Sequence, residues 1–172
     1  SAYNLVSKGM VLKMCLGDKK NSIKIEVHNK ERSKKKKIIF ILNKDQKKSL
    51  EDLRKFGNSF NVSLLQGVTG SGKTIIYFER IKKILKEGQQ VLILLPEIFL
   101  TNQFKERFEE FFGFLPAIWH SKIGIKSKRK IWQGVANNSL DLVIGARSSL
   151  LLPFKNLGLI VLDEEHDPSY KQ

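Results

Sequence analysis

The stretch Leu64–Thr74, LLQGVTGSGKT, decides the fold of this 172-residue chain. From Gly67 onward it fits G-x-x-x-x-G-K-[ST], the pattern of a phosphate-binding loop that joins a strand to a helix. Glycines recur in such a loop because backbone N–H groups can surround phosphate oxygens only where no Cβ blocks the approach. An apolar strand before the loop and an amphipathic helix after it favour this interpretation over an ordinary glycine-rich turn. The chain is therefore expected to bind a nucleoside triphosphate.

Two residues at the end of the loop have predicted chemical roles. Lys73 supplies a point charge at the outer phosphates, and the Thr74 hydroxyl is placed to ligate Mg²⁺. The amino end of the following helix adds a partial positive charge that favours an anion. The residues expected to hold the nucleotide are Gly67, Val68, Thr69, Gly70, Ser71, Gly72, Lys73 and Thr74.

A second motif, LIVLDEEH at residues 159–166, supplies acidic partners. Its apolar run leads into Asp163, which is expected at the carboxyl end of a parallel strand, where ligands of such sheets bind. Asp163 is predicted to hold Mg²⁺ through water, and Glu164 to orient and deprotonate the attacking water. With Lys73, these residues form the predicted catalytic set. An acidic turn after a strand is the alternative, and the phosphate loop makes it less favoured. NKDQ at residues 43–46 is not the guanine signature N-K-x-D, which argues against a GTPase.

Apolar strands alternate with amphipathic helices from residue 42 onward. This alternation predicts an α/β domain with a parallel sheet and helices on both faces. VLILL, at residues 91–95, lacks polar alternation, as expected of a parallel strand buried on both faces. The predicted strands are 62–66, 91–95, 117–119, 140–144 and 157–162, and the predicted helices are 45–56, 74–87, 101–112 and 127–137. Phe104, Phe108 and Phe111 recur at helical spacing and are expected in the core.

The charge of the chain is +14 and is concentrated before the phosphate loop. Residues 1–60 carry 16 basic and 6 acidic side chains. Such an excess favours a polyanionic partner, nucleic acid before membrane, although a lysine-rich composition also results from an AT-rich genome. Strand candidates at 23–27 and 38–42 flank the basic segment HNKERSKKKK, which is either a wing along nucleic acid or a solvated loop that protects an edge strand.

Cysteine content and hydropathy restrict the class of protein. The one cysteine, Cys15, excludes a disulfide framework and a cysteine-based zinc site within this sequence. No apolar run is long enough for a transmembrane helix, and the first residues lack the layout of a signal peptide. We therefore expect a cytoplasmic protein that does not associate with membranes.

The motifs and their spacing resemble one family. LLQGVTGSGKT, LPEIFLTNQ, WHS and IGARSSLLLPFKNLGLIVLDEEHDPSYKQ resemble the PriA family of replication-restart DNA helicases, in helicase superfamily 2. The resemblance is strong over residues 42–172, which it implies are a first RecA-like ATP-binding lobe truncated after the DEEH box. It is weak over residues 1–41, whose position implies the end of a basic, winged-helix-like DNA-binding region. The implied activity is ATP-dependent 3′-to-5′ unwinding at stalled forks, on forked and single-stranded DNA, with primosome proteins and single-stranded DNA-binding protein as partners.

The resemblance also implies roles for residues outside the phosphate loop. Gln46 would read adenine, and His166 would couple the nucleotide state to DNA. Ala146 stands where the family pattern has threonine, so that hydroxyl is missing here. From the residues alone, Arg147 also fits a surface ion pair, and Thr101 also fits a helix N-cap. The residues implied to contact DNA are Thr101, Gln103, Ser121, Arg147, Ser148, Tyr170 and Lys171.

Three features of the family would follow Gln172, where the sequence ends. They are a central strand of the sheet, a second lobe with an arginine finger, and zinc-binding cysteines. An arginine finger contributes roughly 10³–10⁵ in rate, so we expect this chain alone not to unwind DNA and to hydrolyse ATP poorly. A missing central strand would also leave unpaired sheet edges.

Two rival functions remain at the level of sequence. The first is a non-catalytic DNA-binding module that uses the basic residues of 8–55. The second is a P-loop kinase, which would need an acceptor site and lid arginines that no motif here indicates.

Overall fold

A computed structural model describes residues 40–55, 59–68 and 70–170. Within these ranges the helices are α1 (Lys44–Lys55), α2 (Lys73–Lys86), α3 (Asn102–Phe112) and α4 (Ile125–Ala136). The strands are β1 (Gln90–Leu94), β2 (Ala117–Trp119), β3 (Leu142–Gly145) and β4 (Leu157–Leu162). Short 3₁₀ turns follow β1, β3 and β4 at Glu97–Phe99, Arg147–Leu151 and Pro168–Tyr170.

The four strands form one parallel sheet in the order β2-β3-β1-β4. Val91 pairs with Leu142 on one side of β1 and with Leu159 on the other. Every residue of β1 is buried, which explains the apolar run from Val91 to Leu94. Because all strands are parallel, their carboxyl ends meet at one edge of the sheet, and the loops that follow them gather there.

Helices cover both faces of the sheet, which confirms the predicted α/β class. On one face Phe78 and Ile81 of α2 and Phe108 of α3 are completely buried against β1 and β3. The rings of Phe78 and Phe108 meet edge to face with centroids 5.6 Å apart. On the other face Val135 of α4 packs with Trp119. The phenylalanines predicted to be core residues do lie there, Phe104 only partly buried.

Gln90 is a buried polar residue at the start of β1. Its amide nitrogen donates to the backbone oxygens of Val135 and Leu140 at 3.0 and 2.9 Å. Its amide oxygen accepts from the backbone nitrogens of Lys155 and Asn156 at 2.8 and 3.0 Å. One side chain thus satisfies four groups on the segments that lead out of α4 and into β4, and so ties the amino edge of the sheet together.

The prediction of a strand at residues 62–66 is wrong. This segment has no strand pairing, and Val62 and Leu64 are 83% and 72% exposed. A strand exists only where a neighbour accepts its backbone hydrogen bonds, and no strand among the described residues pairs with it. The alternating strand candidate 23–27 and the basic segment lie outside the described residues. Of the candidate strand 38–42, residues 40–42 are described and form no strand.

The other predicted elements are confirmed with small shifts of their ends. Thr101 is the N-cap of α3, and its hydroxyl accepts from the backbone nitrogen of Phe104 at 3.2 Å. Strand β4 pairs with β1 along one side and with no described strand along the other, as expected for an unpaired sheet edge. Among the described helices, none is long and apolar enough to span a bilayer.

Candidate functional site

The phosphate loop curls over the amino end of α2. Gly70 and Gly72 have φ angles of +81° and +85°, a conformation in which a side chain is strained. The Lys73 ammonium turns back into the loop and donates to the backbone oxygens of Gly67 and Val68 at 2.5 and 3.4 Å. Of the predicted loop residues, Gly67 and Val68 therefore contact the Lys73 cation directly, and Thr69 is outside the described residues.

Gln46 joins α1 to this loop. Its amide oxygen accepts from the backbone nitrogen of Asn43 at 3.0 Å, and the Asn43 side chain accepts from the backbone nitrogen of Gln46 at 2.9 Å. This reciprocal pair is a capping box at the start of α1. The Gln46 amide nitrogen also donates to the Ser71 backbone oxygen at 3.0 Å. The residue implied to read adenine thus contacts the loop directly.

Asp163 is held from several directions at the end of β4. Its backbone nitrogen donates to the Leu94 backbone oxygen at 3.1 Å, and its backbone oxygen accepts from the Tyr170 hydroxyl at 3.2 Å. Its carboxylate accepts from the Tyr77 hydroxyl through Oδ2 at 2.7 Å and from the Glu164 backbone nitrogen through Oδ1 at 3.1 Å. Because Tyr77 belongs to α2, this contact brings the acidic motif to the helix that begins at the phosphate loop.

The residues after Asp163 form a tight turn. Glu164 has φ +54°, in the left-handed region that costs a non-glycine residue about 1 kcal/mol. This backbone conformation accompanies the hydrogen bond from the Glu164 nitrogen to the preceding carboxylate. The Glu164 carboxylate lies 3.5 Å from His166 Nε2. The predicted base and the predicted coupling residue are therefore neighbours.

The residues present fit the Mg²⁺ that the sequence predicts. Mg²⁺ is usually bound by one or two protein oxygens together with substrate phosphates and waters. The Tyr77 hydroxyl donates to the Asp163 carboxylate, and Thr74 lies one helical turn before Tyr77 in the first turn of α2, so the two predicted ligands belong to segments that contact each other. Within the described ranges no group of three or more His, Cys, Asp or Glu side chains forms a metal cage. Two protein oxygens, from Thr74 and Asp163, suit a metal ion whose other ligands are nucleotide phosphates and waters.

The two tyrosines beside Asp163 are neutral donors. Burial is the main cause that raises the pKa of Tyr77, and the Asp163 carboxylate adds to it. Burial, followed by the charges of Asp163, Asp167 and Glu164, raises the pKa of Tyr170 to about 12. Both hydroxyls therefore keep their protons well above neutral pH.

The candidate DNA-contacting residues lie at the same edge of the sheet, after β1, β2, β3 and β4. The Ser121 backbone nitrogen and hydroxyl both donate to Glu97 Oε1, at 3.1 and 3.0 Å. The bond from the Ser121 backbone nitrogen is the main cause that holds the pKa of Glu97 below its usual value, and the bond from the hydroxyl adds to it. Glu97 thereby ties the loop after β2 to the loop after β1, beside the exposed side chains of Thr101 and Gln103.

A cleft of about 490 Å³ opens between these two loops. It is lined by Glu97, Ile98, Leu100, Lys105, Ile118, His120 and Lys122. Lys105 and Lys122 bring two positive charges to it and Glu97 brings one negative charge.

The loop after β3 is linked to the acidic motif. The Arg147 guanidinium donates to the Tyr170 backbone oxygen at 3.5 Å, and the Tyr170 hydroxyl donates to Asp163. Ser148 accepts from the Trp119 indole nitrogen at 3.1 Å, which anchors the same loop on β2. Lys171 lies outside the described residues.

Comparison with known proteins agrees with this geometry. The family model described as DEAD/DEAH box helicase matches residues 43–172. The chain belongs to the DEAD/DEAH box helicase family. Its described sheet, with helices on both faces, is that of a RecA-like helicase lobe.

The relatives narrow the family to the PriA replication restart proteins. Replication restart protein PriA of Rickettsia felis is 53% identical over 131 residues, which are 76% of this chain and 20% of that protein. The Rickettsia prowazekii protein of the same name is 44% identical over 172 residues, 100% of this chain and 26% of its own length. The Bacillus subtilis protein is 44% identical over 133 residues, 76% of this chain and 16% of its own length. The PriA-family chain thus spans about a quarter or less of the relatives it matches.

Sequence reasoning missed two residues of this site. Tyr77 carried a signal, because it follows Thr74 by one helical turn and so lies on a neighbouring part of the helix face. Glu97 lies within LPEIFLTNQ but had no predicted role, and its bond to Ser121 spans a sequence separation that periodicity does not reveal.

Proposed function

We propose that residues 42–172 bind Mg·ATP at the carboxyl edge of the sheet and serve an ATP-dependent 3′-to-5′ DNA helicase of replication restart. The observation that carries this proposal is the hydrogen bond between Tyr77 and Asp163. It supports a single site made of the phosphate loop and the acidic motif, which are far apart in sequence.

In the proposed site, each residue has one task. The loop N–H groups and the Lys73 ammonium bind the phosphates, and Thr74 and Asp163 hold Mg²⁺. When bound, the metal neutralises charge on the outer phosphates. Glu164 orients a water and takes its proton. Gln46 keeps one N–H and one lone pair beyond its observed bonds, so an adenine contact remains available to it.

The DNA strand would run along the loops that follow β1, β2 and β3. Thr101, Gln103 and Ser148 would contact its backbone through hydroxyl and amide groups, with Arg147 adding charge. Ser121 would do the same by exchanging its hydroxyl bond to Glu97 for one to a phosphate. The bond from Glu97 to Ser121 supports this placement because it makes two of the loops one surface. Lys171 would join the same surface.

The proposed coupling between DNA and nucleotide passes through Tyr170 and His166. Tyr170 accepts from Arg147 and donates to Asp163, so a shift of the β3 loop on DNA would reach the magnesium ligand. His166 lies beside Glu164 and would respond to the same movement. Both contacts support coupling without requiring a change of fold.

The wider role follows from the relatives, which are named replication restart proteins. We propose forked and single-stranded DNA as substrates, primosome proteins and single-stranded DNA-binding protein as partners, and the cytoplasm as location. We also propose that residues 1–41 belong to a DNA-binding region, and that zinc, for which this sequence has one cysteine and so no cysteine cluster, belongs to other parts of such a protein.

A second candidate function is a DNA-binding module without catalysis. The observation that favours it is the charge of residues 1–60, which carry 16 basic and 6 acidic side chains. In that case phosphate contacts by lysines would supply the affinity, which would fall steeply with salt.

Fluorescence anisotropy with a labelled single strand separates the two functions. The variants are Arg147→Ala in the β3 loop and a quadruple Lys→Gln exchange at residues 34–37 in the basic segment. The helicase proposal expects Arg147→Ala to weaken binding about tenfold, as for a lost hydrogen bond to a charged group. If only the quadruple exchange weakens binding, the DNA-binding module is the better description.

A further inference from the structure

The Tyr77 hydroxyl contacts a side chain that the proposed function assigns to magnesium. It donates to Asp163 Oδ2 at 2.7 Å, and Tyr77 lies three residues after Thr74 on α2. The side chain is 7% exposed, so water does not compete freely for this bond. Its ring packs edge to face on Phe78, with centroids 5.2 Å apart, and this packing fixes where the hydroxyl lies.

The Asp163 carboxylate is oriented by two donors of different kinds. Tyr77 bonds one oxygen and the Glu164 backbone nitrogen bonds the other. Each carboxylate oxygen has a further lone pair, so both bonds leave room for another donor. Two donors on opposite oxygens restrict rotation of the carboxylate about its bond to Cβ.

We propose that Tyr77 is a positioning residue of the magnesium site: its hydroxyl, on the helix that begins at the phosphate loop, fixes the Asp163 carboxylate. This inference rests on the proposed Mg·ATP function. The residue acts through Asp163 and touches neither phosphate nor metal itself. Its contribution is pre-organisation, since a ligand held in place before the metal binds loses less freedom when it does.

A purely structural role makes a different prediction. If the hydroxyl only ties α2 to β4, its removal lowers stability and leaves magnesium binding unchanged. If it positions Asp163, its removal raises the Mg²⁺ concentration needed, whereas nucleotide affinity without Mg²⁺ stays the same because the phosphate loop is intact.

The test is a titration of MgCl₂ into the complete chain with mant-ADP, begun in EDTA, with mant fluorescence as the readout. Tyr77→Phe keeps the ring and loses the hydroxyl. Tyr77→Met is the second variant without a hydroxyl, in case the first does not fold. Ile81→Val is the matched control, because Ile81 is a completely buried residue one turn further along the same helix.

The proposal expects Tyr77→Phe to need about tenfold more Mg²⁺ for half of the effect, the loss expected for one hydrogen bond to a charged group. Affinity for mant-ADP in EDTA and the Ile81→Val midpoint stay at wild-type values. A folded Phe or Met variant with the wild-type Mg²⁺ midpoint overturns the proposal, as does an equal shift in Ile81→Val. If wild type itself binds no mant-ADP at any Mg²⁺ concentration, the proposed function fails first, and the Tyr77 inference fails with it.

Discussion

At the scale of single residues, Asp163 shows how backbone and side-chain bonds place one carboxylate. β4 fixes its backbone through Leu94, the turn at Glu164 supplies a donor from behind, and two tyrosines approach from other elements. The position of this residue was predictable, because an apolar run that ends in an acidic residue marks the end of a parallel strand. The two tyrosine contacts were not predictable, because helix packing decides which aromatic ring reaches the end of a strand.

The shifted pKa of Tyr170 gives a prediction for alkaline pH. Its pKa is raised from an ordinary value of 10.0 to about 12 in the fold. A raised pKa means that the neutral hydroxyl stabilises the folded state fully below pH 10, and that this contribution is lost as pH rises through about 12. Unfolding free energy should therefore fall across this range, and less steeply in Tyr170→Phe.

Urea unfolding at several pH values from neutral to alkaline measures this difference. All other ionisable groups are the same in both proteins, so only the difference between wild type and Tyr170→Phe reports on Tyr170. Parallel pH profiles of the two proteins would contradict the account of this hydroxyl.

At the scale of secondary structure, the strands that sequence predicted well are those with a partner. β1 is buried on both faces between β3 and β4, and the apolar run from Val91 to Leu95 predicted a strand buried in this way. Residues 62–66, VSLLQ, are also mostly apolar and form no strand, because pairing depends on a neighbour and not on propensity alone. Hydrophobic spacing was enough to predict the helices, because the backbone hydrogen bonds of a helix lie within the helix itself.

Gln90 is the element-scale residue that composition could not identify. A single glutamine before an apolar strand looks like a surface residue, yet it is completely buried and bonds four backbone groups. Gln90→Leu should lower the unfolding free energy by about 3 kcal/mol, because it leaves buried donors and acceptors without partners.

Urea denaturation checks this prediction, with Gln89→Leu as the control. Gln89 is the preceding residue and its side chain is partly exposed. A loss for Gln90→Leu no larger than that for Gln89→Leu would show that the four bonds contribute little.

At the scale of the whole molecule, a core formed on each face of the sheet, and two apolar segments stayed exposed. Phe60, Val62 and Leu64 precede the phosphate loop and are 92%, 83% and 72% exposed, and Ile160 and Leu162 of β4 are about half exposed. The sequence predicted unpaired edges from the family resemblance. It could not show where the exposed apolar groups lie, since that depends on which strands pair.

The exposed apolar side chains of Phe60, Val62 and Leu64 predict concentration-dependent self-association of the 172-residue chain. Neighbouring apolar side chains outside any pairing favour contacts between copies. The double exchange Val62→Thr with Leu64→Thr should reduce self-association in sedimentation velocity, whereas Leu115→Thr, at an exposed leucine in another part of the chain, should not. Equal behaviour of the two variants would assign self-association to another surface.

The central claim is that the phosphate loop and the acidic motif form one working nucleotide site. Calorimetric titration of Mg·ATP into the folded chain tests it most directly, with Lys73→Ala compared under the same conditions and circular dichroism confirming that both proteins fold. The account predicts saturable binding by wild type that is lost in Lys73→Ala, because the ammonium inside the loop is then missing. A folded wild-type chain that binds no Mg·ATP, or a Lys73→Ala variant that binds it equally well, would contradict the claim.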